Sequence, residues 1–212
     1  MQKDLTIEGY IDELSSSSPT PGGGSAAAIM AALSSALTSM VFNLTVGKKS
    51  YNELDSNEKQ VIDNALEISN MYNKRLLEFM DKDSEAFLNF MKTFKLPKET
   101  EEDKKFRENE IQKGYISALE VPLNLAEESL KLYEIIIIAC KYGNKNVISD
   151  AGVASYLLFA AIESSILNVK INLSGLKDEG YKLSIKNRCS EIIKIASENK
   201  IKAEEIINTA IS

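Results

Sequence analysis

The sequence predicts an all-α fold, a bundle of six to seven helices with two apolar, small-residue helices at its centre. Apolar residues recur at three- and four-residue steps through most of the chain, which is the spacing of one helix face. Alternation at period two, which would indicate strands, is not sustained anywhere. Two long segments, Ala26–Val46 and Ala151–Leu173, contain almost no charged residue, so we expect them at the centre of the bundle.

The first helices have recognisable boundaries. Residues 4–14 predict a short amphipathic helix that ends in the serine run 15–18, and the segment 19–24 is a hard break of prolines and glycines. Ser25 then stands where the N-cap of the first apolar helix is expected. That helix is near the length of a membrane span. Its alanines contribute little transfer energy and its serines and threonines are polar, so packing in the core is the better interpretation.

The middle of the chain predicts two long helices. Residues 57–95 form one amphipathic pattern, either continuous or with one break, and Leu96-Pro97 ends it. A charged stretch opens the next helix, in which Pro122 predicts a kink or a restart before an apolar run that reaches Cys140.

The last two helices follow from similar signals. Gly143-Asn144 predicts the end of the preceding helix, and Ser149-Asp150 predicts the N-cap of the second apolar helix. Lys177–Ile211 completes the chain as an amphipathic helix.

The composition is that of an ordinary globular chain. With 212 residues, 44% hydrophobic and 26% charged, the protein is most simply one domain over 1–212. A net charge of −6 offers no electrostatic basis for binding nucleic acid, and no basic amphipathic face indicates a membrane surface. Cys140 and Cys189 lack metal-ligand spacing and are expected to be packing residues. Without a secretory signal, we expect a reducing cytoplasm.

Histidine is absent from the chain, and this limits the kinds of catalysis that the protein can perform. Catalysis by an imidazole base, by a Ser-His or Cys-His pair, or by a histidine-ligated zinc ion is excluded. The remaining options are carboxylates, lysine, tyrosine, backbone groups, and a serine or cysteine with another base.

Asp83 is the residue that indicates chemistry most directly. It stands in register with the apolar stripe of its helix, so its carboxylate faces the bundle interior, where an unpaired charge is costly. Such a carboxylate is either paired with a buried cation or serves a pocket in which its pKa is shifted. Both interpretations remain open on the sequence alone.

Other polar residues also have a structural and a functional interpretation. Arg107 leads an apolar series, so it either reaches the interior or snorkels to the solvent. Asp150 is explained by capping alone, yet it is also a carboxylate available to a site. Asn168 and Asn172 lie in the second apolar helix, where buried amides join either a polar network or a ligand cleft.

The glycine run forms either a simple turn or a cradle for an anion. Its backbone N–H groups precede a helix N-terminus, but it matches neither the phosphate-loop nor the dinucleotide pattern. The residues concerned are Gly22, Gly23, Gly24 and Ser25.

Several motifs follow one another along about 19–173: Pro-Thr-Pro-Gly-Gly-Gly-Ser-Ala-Ala-Ala (19–28), Asp83-Ser84-Glu85-Ala86-Phe87, Glu120-Val121-Pro122-Leu123, Ser149-Asp150-Ala151-Gly152 and Asn168-Val169-Lys170-Ile171-Asn172. Together and in this order they resemble the cyclodeaminase/cyclohydrolase family. That family includes the cyclodeaminase half of formiminotransferase-cyclodeaminase and free-standing methenyltetrahydrofolate cyclohydrolases. The resemblance implies an all-helical homodimer that acts on a tetrahydrofolate one-carbon substrate.

The resemblance leaves two reactions open. One hydrolyses 5,10-methenyltetrahydrofolate to 10-formyltetrahydrofolate, and the other closes 5-formiminotetrahydrofolate to the methenyl compound with loss of ammonia. We favour the cyclohydrolase, because the chain has no formiminotransferase domain to supply a formimino substrate. We expect no metal and no cofactor beyond the folate substrate. A non-enzymatic helical interaction module is the alternative of another class.

The residues available suggest a role for each group. A carboxylate beside the positively charged methenyl carbon both stabilises the cation and accepts a proton from attacking water. Asp83 is the first candidate for this base and Asp150 is the second. The glycine run is expected at the edge of the pocket, with Ser25 capping the helix beside it.

The remaining candidates would bind the substrate. Amides offer donors and acceptors for the pterin edge or the water, and a cation would bind the glutamate tail of the folate. The amides are Asn144, Asn168 and Asn172, and the cations are Arg107 and Lys170.

Overall fold

The computed structural model describes residues 1–211, and within that range the chain forms helices and no strand. This confirms the predicted all-α fold of six to seven helices. Short 3-10 turns, Gln2–Asp4 and Lys145–Val147, precede the first and the sixth helix. The seven α-helices are α1 Ile7–Ser15, α2 Gly23–Asn43, α3 Lys49–Asn52, α4 Ser56–Thr93, α5 Glu101–Tyr142, α6 Ile148–Leu173 and α7 Glu179–Ile211.

The two apolar helices form the centre of the bundle, as predicted. α2 packs between α4 and α6, while α5 packs against α4, α6 and α7. α2 and α6 run antiparallel, because Gly23 lies against Asn168 while Ser34 Oγ donates a hydrogen bond to the Ala154 carbonyl at 2.7 Å. Small side chains let the two helices approach closely; the fully buried ones on α2 include Ala27, Ala28 and Ala31.

Helices α2 and α6 each have the length and hydropathy of a membrane-spanning helix. Here they pack as core helices, with 61% of the most apolar stretch of α2 and 50% of that of the α6 segment buried inside the protein. Several of their hydroxyl groups bond within their own helix, Ser34 and Ser35 bond to neighbouring helices, and the buried Ser155 hydroxyl has no partner among the described residues. Thr38, Ser39 and Ser165 each donate to the carbonyl four residues earlier.

Two predicted helix caps are wrong. Gly22, not Ser25, is the N-cap of α2, because the Ser25 hydroxyl bonds to side chains of the N-terminal region instead of to the helix backbone. α6 begins at Ile148 with Val147 as its N-cap, so Asp150 lies inside the first turn. The 3-10 turn before α6 shifts this boundary, and the Asn144 side chain caps that turn.

Helix α5 continues through Pro122, where the sequence predicts a kink or a restart. Proline has no N–H, so the carbonyl of Ala118, four residues earlier, loses its donor within the helix. Asn172 on α6 replaces that donor, since its Nδ2 donates to the Ala118 carbonyl at 3.3 Å. A neighbouring helix thus satisfies the carbonyl that the proline frees, and the helix does not restart.

Candidate active site

A cavity of about 450 Å³ lies where the start of α2 meets α4, α5 and the end of α6. Its volume is in the range of small-molecule sites. Among residues 1–211, no group of three or more cysteine or acidic side chains is placed to hold a metal ion. The lining residues are Pro19, Thr20, Gly22, Gly23, Gly24, Asp83, Phe87, Phe90, Tyr115, Ala118, Asn168, Ile171, Asn172 and Ser174.

Asp83 supplies the carboxylate of this cavity, from the predicted apolar side of α4. Its Oδ2 accepts a hydrogen bond from the Ser25 N–H at 3.1 Å, in the first turn of α2. Burial raises the pKa of the Asp83 carboxyl and the Ser25 N–H lowers it, with no cation contributing among the described residues. The structure therefore favours a pocket carboxylate over one neutralised by a buried cation.

The glycine turn is shaped by its neighbours. A Cβ on Gly24 would collide with the Asp83 carboxylate, so only glycine lets that carboxylate lie against the backbone of α2. A Cβ on Gly23 would meet the Asn168 amide at 3.4 Å, which is ordinary contact, and one on Gly22 would meet nothing within 4 Å. The turn thus accommodates Asp83 at Gly24 and leaves Gly22 open to the cavity.

Two amides of α6 line another part of the cavity wall, and Asn168 lies beside Gly23. Asn168 Nδ2 donates to the Ser164 carbonyl at 2.8 Å, and Asn172 Nδ2 donates to the carbonyls of Asn168 and Ala118. These bonds orient both amides, and they use both N–H groups of the Asn172 amide but only one of the two on Asn168. The carboxamide oxygens are the acceptors that remain for a ligand.

Sequence reasoning missed the aromatic part of the cavity. Phe87, Phe90 and Tyr115 were assigned to the apolar stripes of their helices, yet all three line the cavity. The rings of Phe90 and Tyr115 are 4.5 Å apart between centroids. Phe87 stands one helical turn beyond Asp83, and this spacing was the available signal. Tyr115 gave no such signal, because only the packing of α5 brings it to the cavity.

Asp150 and Asn144 lie far from this cavity within one chain. Asp150 is in the first turn of α6, and Asn168 lies about 27 Å further along the same helix at 1.5 Å per residue. Asn144 connects the turn before α6 to the end of α2, because its Nδ2 donates to the Leu44 carbonyl at 3.0 Å. The substrate roles suggested for these two residues stay predictions.

Arg107 and Lys170 also lie outside the cavity. Arg107 Nη2 donates to the Phe94 carbonyl at 3.2 Å, which holds this arginine at the connection between α4 and α5. Lys170 is on the other side of α6 from Asn168, where it lines a groove with Lys186 and Lys194 of α7. Neither cation reaches the cavity wall, and their roles toward a folate tail stay predictions.

The structure thus brings together six of the predicted site residues: Gly22, Gly23, Gly24, Asp83, Asn168 and Asn172. Ser25 lies behind this wall, fully buried, and contacts the cavity through its bond to Asp83.

Known proteins are similar to this chain over its whole length. A methenyltetrahydrofolate cyclohydrolase of Methylorubrum extorquens is 41% identical over 212 residues, which are 100% of this chain and 99% of that protein. The formimidoyltransferase-cyclodeaminase of Mus musculus is 34% identical over 193 residues, 91% of this chain and 35% of that protein. The chain therefore spans about a third of the murine relative.

The fold has a close counterpart among crystal structures. The formiminotetrahydrofolate cyclodeaminase of Thermotoga maritima matches it with a TM-score of 0.87, covering 100% of both chains at 24% identity. The sequence profile described as formiminotransferase-cyclodeaminase matches residues 6–191, most of the chain. The resemblance inferred from the motifs is confirmed: this chain belongs to the formiminotransferase-cyclodeaminase family.

Proposed function

We propose that this protein hydrolyses 5,10-methenyltetrahydrofolate to 10-formyltetrahydrofolate. The observation that carries the proposal is the 41% identity to a methenyltetrahydrofolate cyclohydrolase along the full length of both chains. The cavity supports it chemically, because it combines one carboxylate with aromatic rings and amide oxygens. A non-enzymatic interaction module has no use for this combination, so it is not the function we propose.

Substrate binding follows from the lining of the cavity. The pyrimidine ring of the tetrahydropterin is flat and conjugated, so it packs against the rings of Phe87 and Tyr115. Its N–H groups donate to the carboxamide oxygens of Asn168 and Asn172. The methenyl bridge carries a positive charge shared between two nitrogens, and the Asp83 carboxylate stabilises it in a site of low water content.

The chemical step uses Asp83 twice. As the water oxygen attacks the methenyl carbon, the ionised carboxylate accepts a proton from that water, and a tetrahedral carbinolamine forms. The protonated carboxyl then donates this proton to N5 as the bond between N5 and the carbon breaks. The hydroxyl proton leaves to solvent, so one water is consumed and one proton released. The proposed reaction needs no cofactor beyond the folate.

The reaction is tested by following the methenyl chromophore. Purified protein should speed the loss of this absorbance above the buffer rate and yield 10-formyltetrahydrofolate, identified by chromatography. A parallel sample with 5-formiminotetrahydrofolate measures ammonia release. Ammonia release without methenyl hydrolysis would replace the proposal by the cyclodeaminase reaction, and inactivity on both folates would remove it.

We also infer that two copies of the chain associate through the outer faces of α2 and α6. α5 covers one side of this helix pair, whereas the other side carries exposed apolar side chains on both helices. On each helix they share one face, since their spacings of 3, 4, 7 and 11 residues are close to whole numbers of helical turns. The stripes comprise Leu33 and Met40 on α2, and Val153, Tyr156, Leu167 and Ile171 on α6. Ile171 also lines the cavity, so the second copy would lie beside the substrate.

The association is tested by molar mass in solution. A stable dimer buries roughly 1,200–2,000 Å² of surface, and a charge in the middle of that area disrupts it. We expect the wild-type chain to be a dimer by light scattering and the Leu33→Glu/Leu167→Glu variant to be a monomer. Leu183→Glu, an equally exposed position on α7, is the control and should stay dimeric. A monomeric wild type would contradict the inference.

A further inference from the structure

The first residues of the chain fold against the candidate active site. The 3-10 turn Gln2–Asp4 packs on α4. Gln2 makes two hydrogen bonds to α4 and one to α2. Its backbone N–H donates to Asp81 Oδ1 at 2.6 Å, and its Nε2 donates to the Ser84 hydroxyl. Its Oε1 accepts from the Ser25 hydroxyl at 2.8 Å. Gln2 therefore joins α2 to two residues of α4, Asp81 and Ser84, that flank Asp83 in the sequence. Gln2 itself precedes the segment 6–191 that matches the family profile.

Ser25 is the centre of this network. Its side chain is fully buried, and its hydroxyl accepts a hydrogen bond from the Tyr10 hydroxyl at 3.1 Å. Its own N–H donates to Asp83 Oδ2. The bond to Tyr10 is buried and the bond to Gln2 is partly buried, and together they hold Ser25 and the first turn of α2, which carries the Ser25 N–H.

Tyr10 both packs in the hydrophobic core and brings a hydrogen-bonding group into it. It is the one buried residue of α1, whereas Ile7 and Ile11 of the same helix are exposed. Its ring brings a hydroxyl group into the core, where that group bonds to Ser25. The buried residue of α1 thus bonds to Ser25, whose N–H donates to Asp83.

We propose that Gln2 and Tyr10 are positioning residues that act through Ser25 to hold the Asp83 carboxylate in its reactive orientation. The proposal rests on the hydrolytic function inferred above. The N-terminal segment and α1 would then belong to the active-site machinery without touching the substrate.

The proposal predicts a measurable change in the pKa of the Asp83 carboxyl. The titratable groups that face Asp83 are Tyr10 from α1 and Tyr115 across the cavity, while α2 and the nearby part of α6 present glycine, serine and amide groups. The N-terminal segment adds Asp4 and the Met1 amine, which pair with each other. The Ser25 N–H lowers the pKa of Asp83 against the effect of burial. A loosened Ser25 therefore raises the pKa, so the base ionises at higher pH.

Tyr10→Phe is the main test, because it removes one hydroxyl and keeps the ring. We expect kcat for methenyltetrahydrofolate hydrolysis to fall about tenfold with little change in KM, since a small misplacement of a catalytic group is costly. The acidic limb of the pH profile should move to higher pH. Gln2→Ala should give a loss of the same kind. The controls are Lys3→Ala, exposed in the same turn, and Tyr51→Phe, which bonds to Asp63 far from the cavity.

A second measurement separates this proposal from the proposed function. A carbon-13 NMR titration follows the Asp83 carboxyl, assigned by its disappearance in Asp83→Asn, and needs no turnover. A higher pKa in Tyr10→Phe supports positioning even if the wild-type protein does not hydrolyse the methenyl compound. An unchanged carboxyl titration with unchanged kcat overturns the positioning proposal, as does an equal loss of activity in the two controls.

Discussion

Asp83→Asn is expected to lower kcat for methenyltetrahydrofolate hydrolysis by about 10²–10⁴-fold, the usual contribution of a general base. Asparagine keeps the shape of the side chain, and its Oδ1 can still accept from the Ser25 N–H. It cannot take a proton from water. The assay is steady-state loss of the methenyl chromophore, and turnover close to that of the wild type would contradict the assignment of Asp83 as the base.

Asp150→Asn is the matched comparison, because it makes the same chemical change at the competing candidate. We expect near-normal turnover from it, since Asp150 lies about 27 Å along α6 from the cavity amides. A large loss in Asp150→Asn together with a small one in Asp83→Asn would reverse the assignment.

The difference in stability between the wild type and Asp83→Asn should depend on pH, because only the wild type carries a titrating group at this position. Burial raises the pKa of Asp83 in the folded protein above its ordinary value, so the folded state holds the proton more tightly than the unfolded chain. The stability that this gives is present below the ordinary aspartate pKa and is lost as pH rises through the raised one. At neutral pH the variant should therefore unfold at the same or a higher temperature than the wild type.

Gly24→Ala is expected to reduce turnover by about 10²-fold while the protein stays folded, because a misplacement of about 1 Å has an effect of that size. The new Cβ would occupy the space of the Asp83 carboxylate, and the side chain has to move away from the Ser25 N–H. Alanine also favours a helix over glycine by about 1 kcal/mol, which opposes any loss of stability. Steady-state kinetics and thermal unfolding measure the two effects separately.

Neighbouring glycines provide the controls for this experiment. A Cβ at Gly23 makes ordinary contact with Asn168 and one at Gly22 meets nothing, so Gly23→Ala and Gly22→Ala should be much more active than Gly24→Ala. The double variant Gly24→Ala/Asp83→Asn should be no slower than Asp83→Asn alone, because both changes act on one carboxylate. Equal losses in all three alanine variants would mean that the turn matters for another reason.

Much of the fold could be predicted because the sequence features that indicate each helix lie within that helix. The apolar stripe of α4 predicted a helix over 57–95 and placed Asp83 on its inner side, and the structure has Ser56–Thr93 with Asp83 at the cavity. The two segments with almost no charged residue predicted the central helices α2 and α6. Periodicity and composition suffice here, since a helix face is defined by neighbours three and four residues apart.

The wrong predictions concern residues whose partners are distant in the sequence. Ser25 was expected to cap α2, but Tyr10 and Gln2 bind its hydroxyl. Pro122 was expected to kink or restart α5; the helix does not restart there, and Asn172 satisfies the carbonyl that the proline frees. The Ser25 hydroxyl and the Asn172 amide each have several possible hydrogen-bond partners, and only the packing of other helices selects among them.

By itself, the sequence determined the helical fold, the family and the position of Asp83 on the inner side of α4, because composition, periodicity and ordered motifs carry that information. Only the tertiary structure decided which candidates meet in one cavity: Asp83 and two amides do, while Asp150, Arg107 and Lys170 lie elsewhere in the chain. It also decided that Gly24 makes room for Asp83 and that Ser25 holds it. Distances between helices depend on how whole surfaces pack, and no spacing along the chain specifies them.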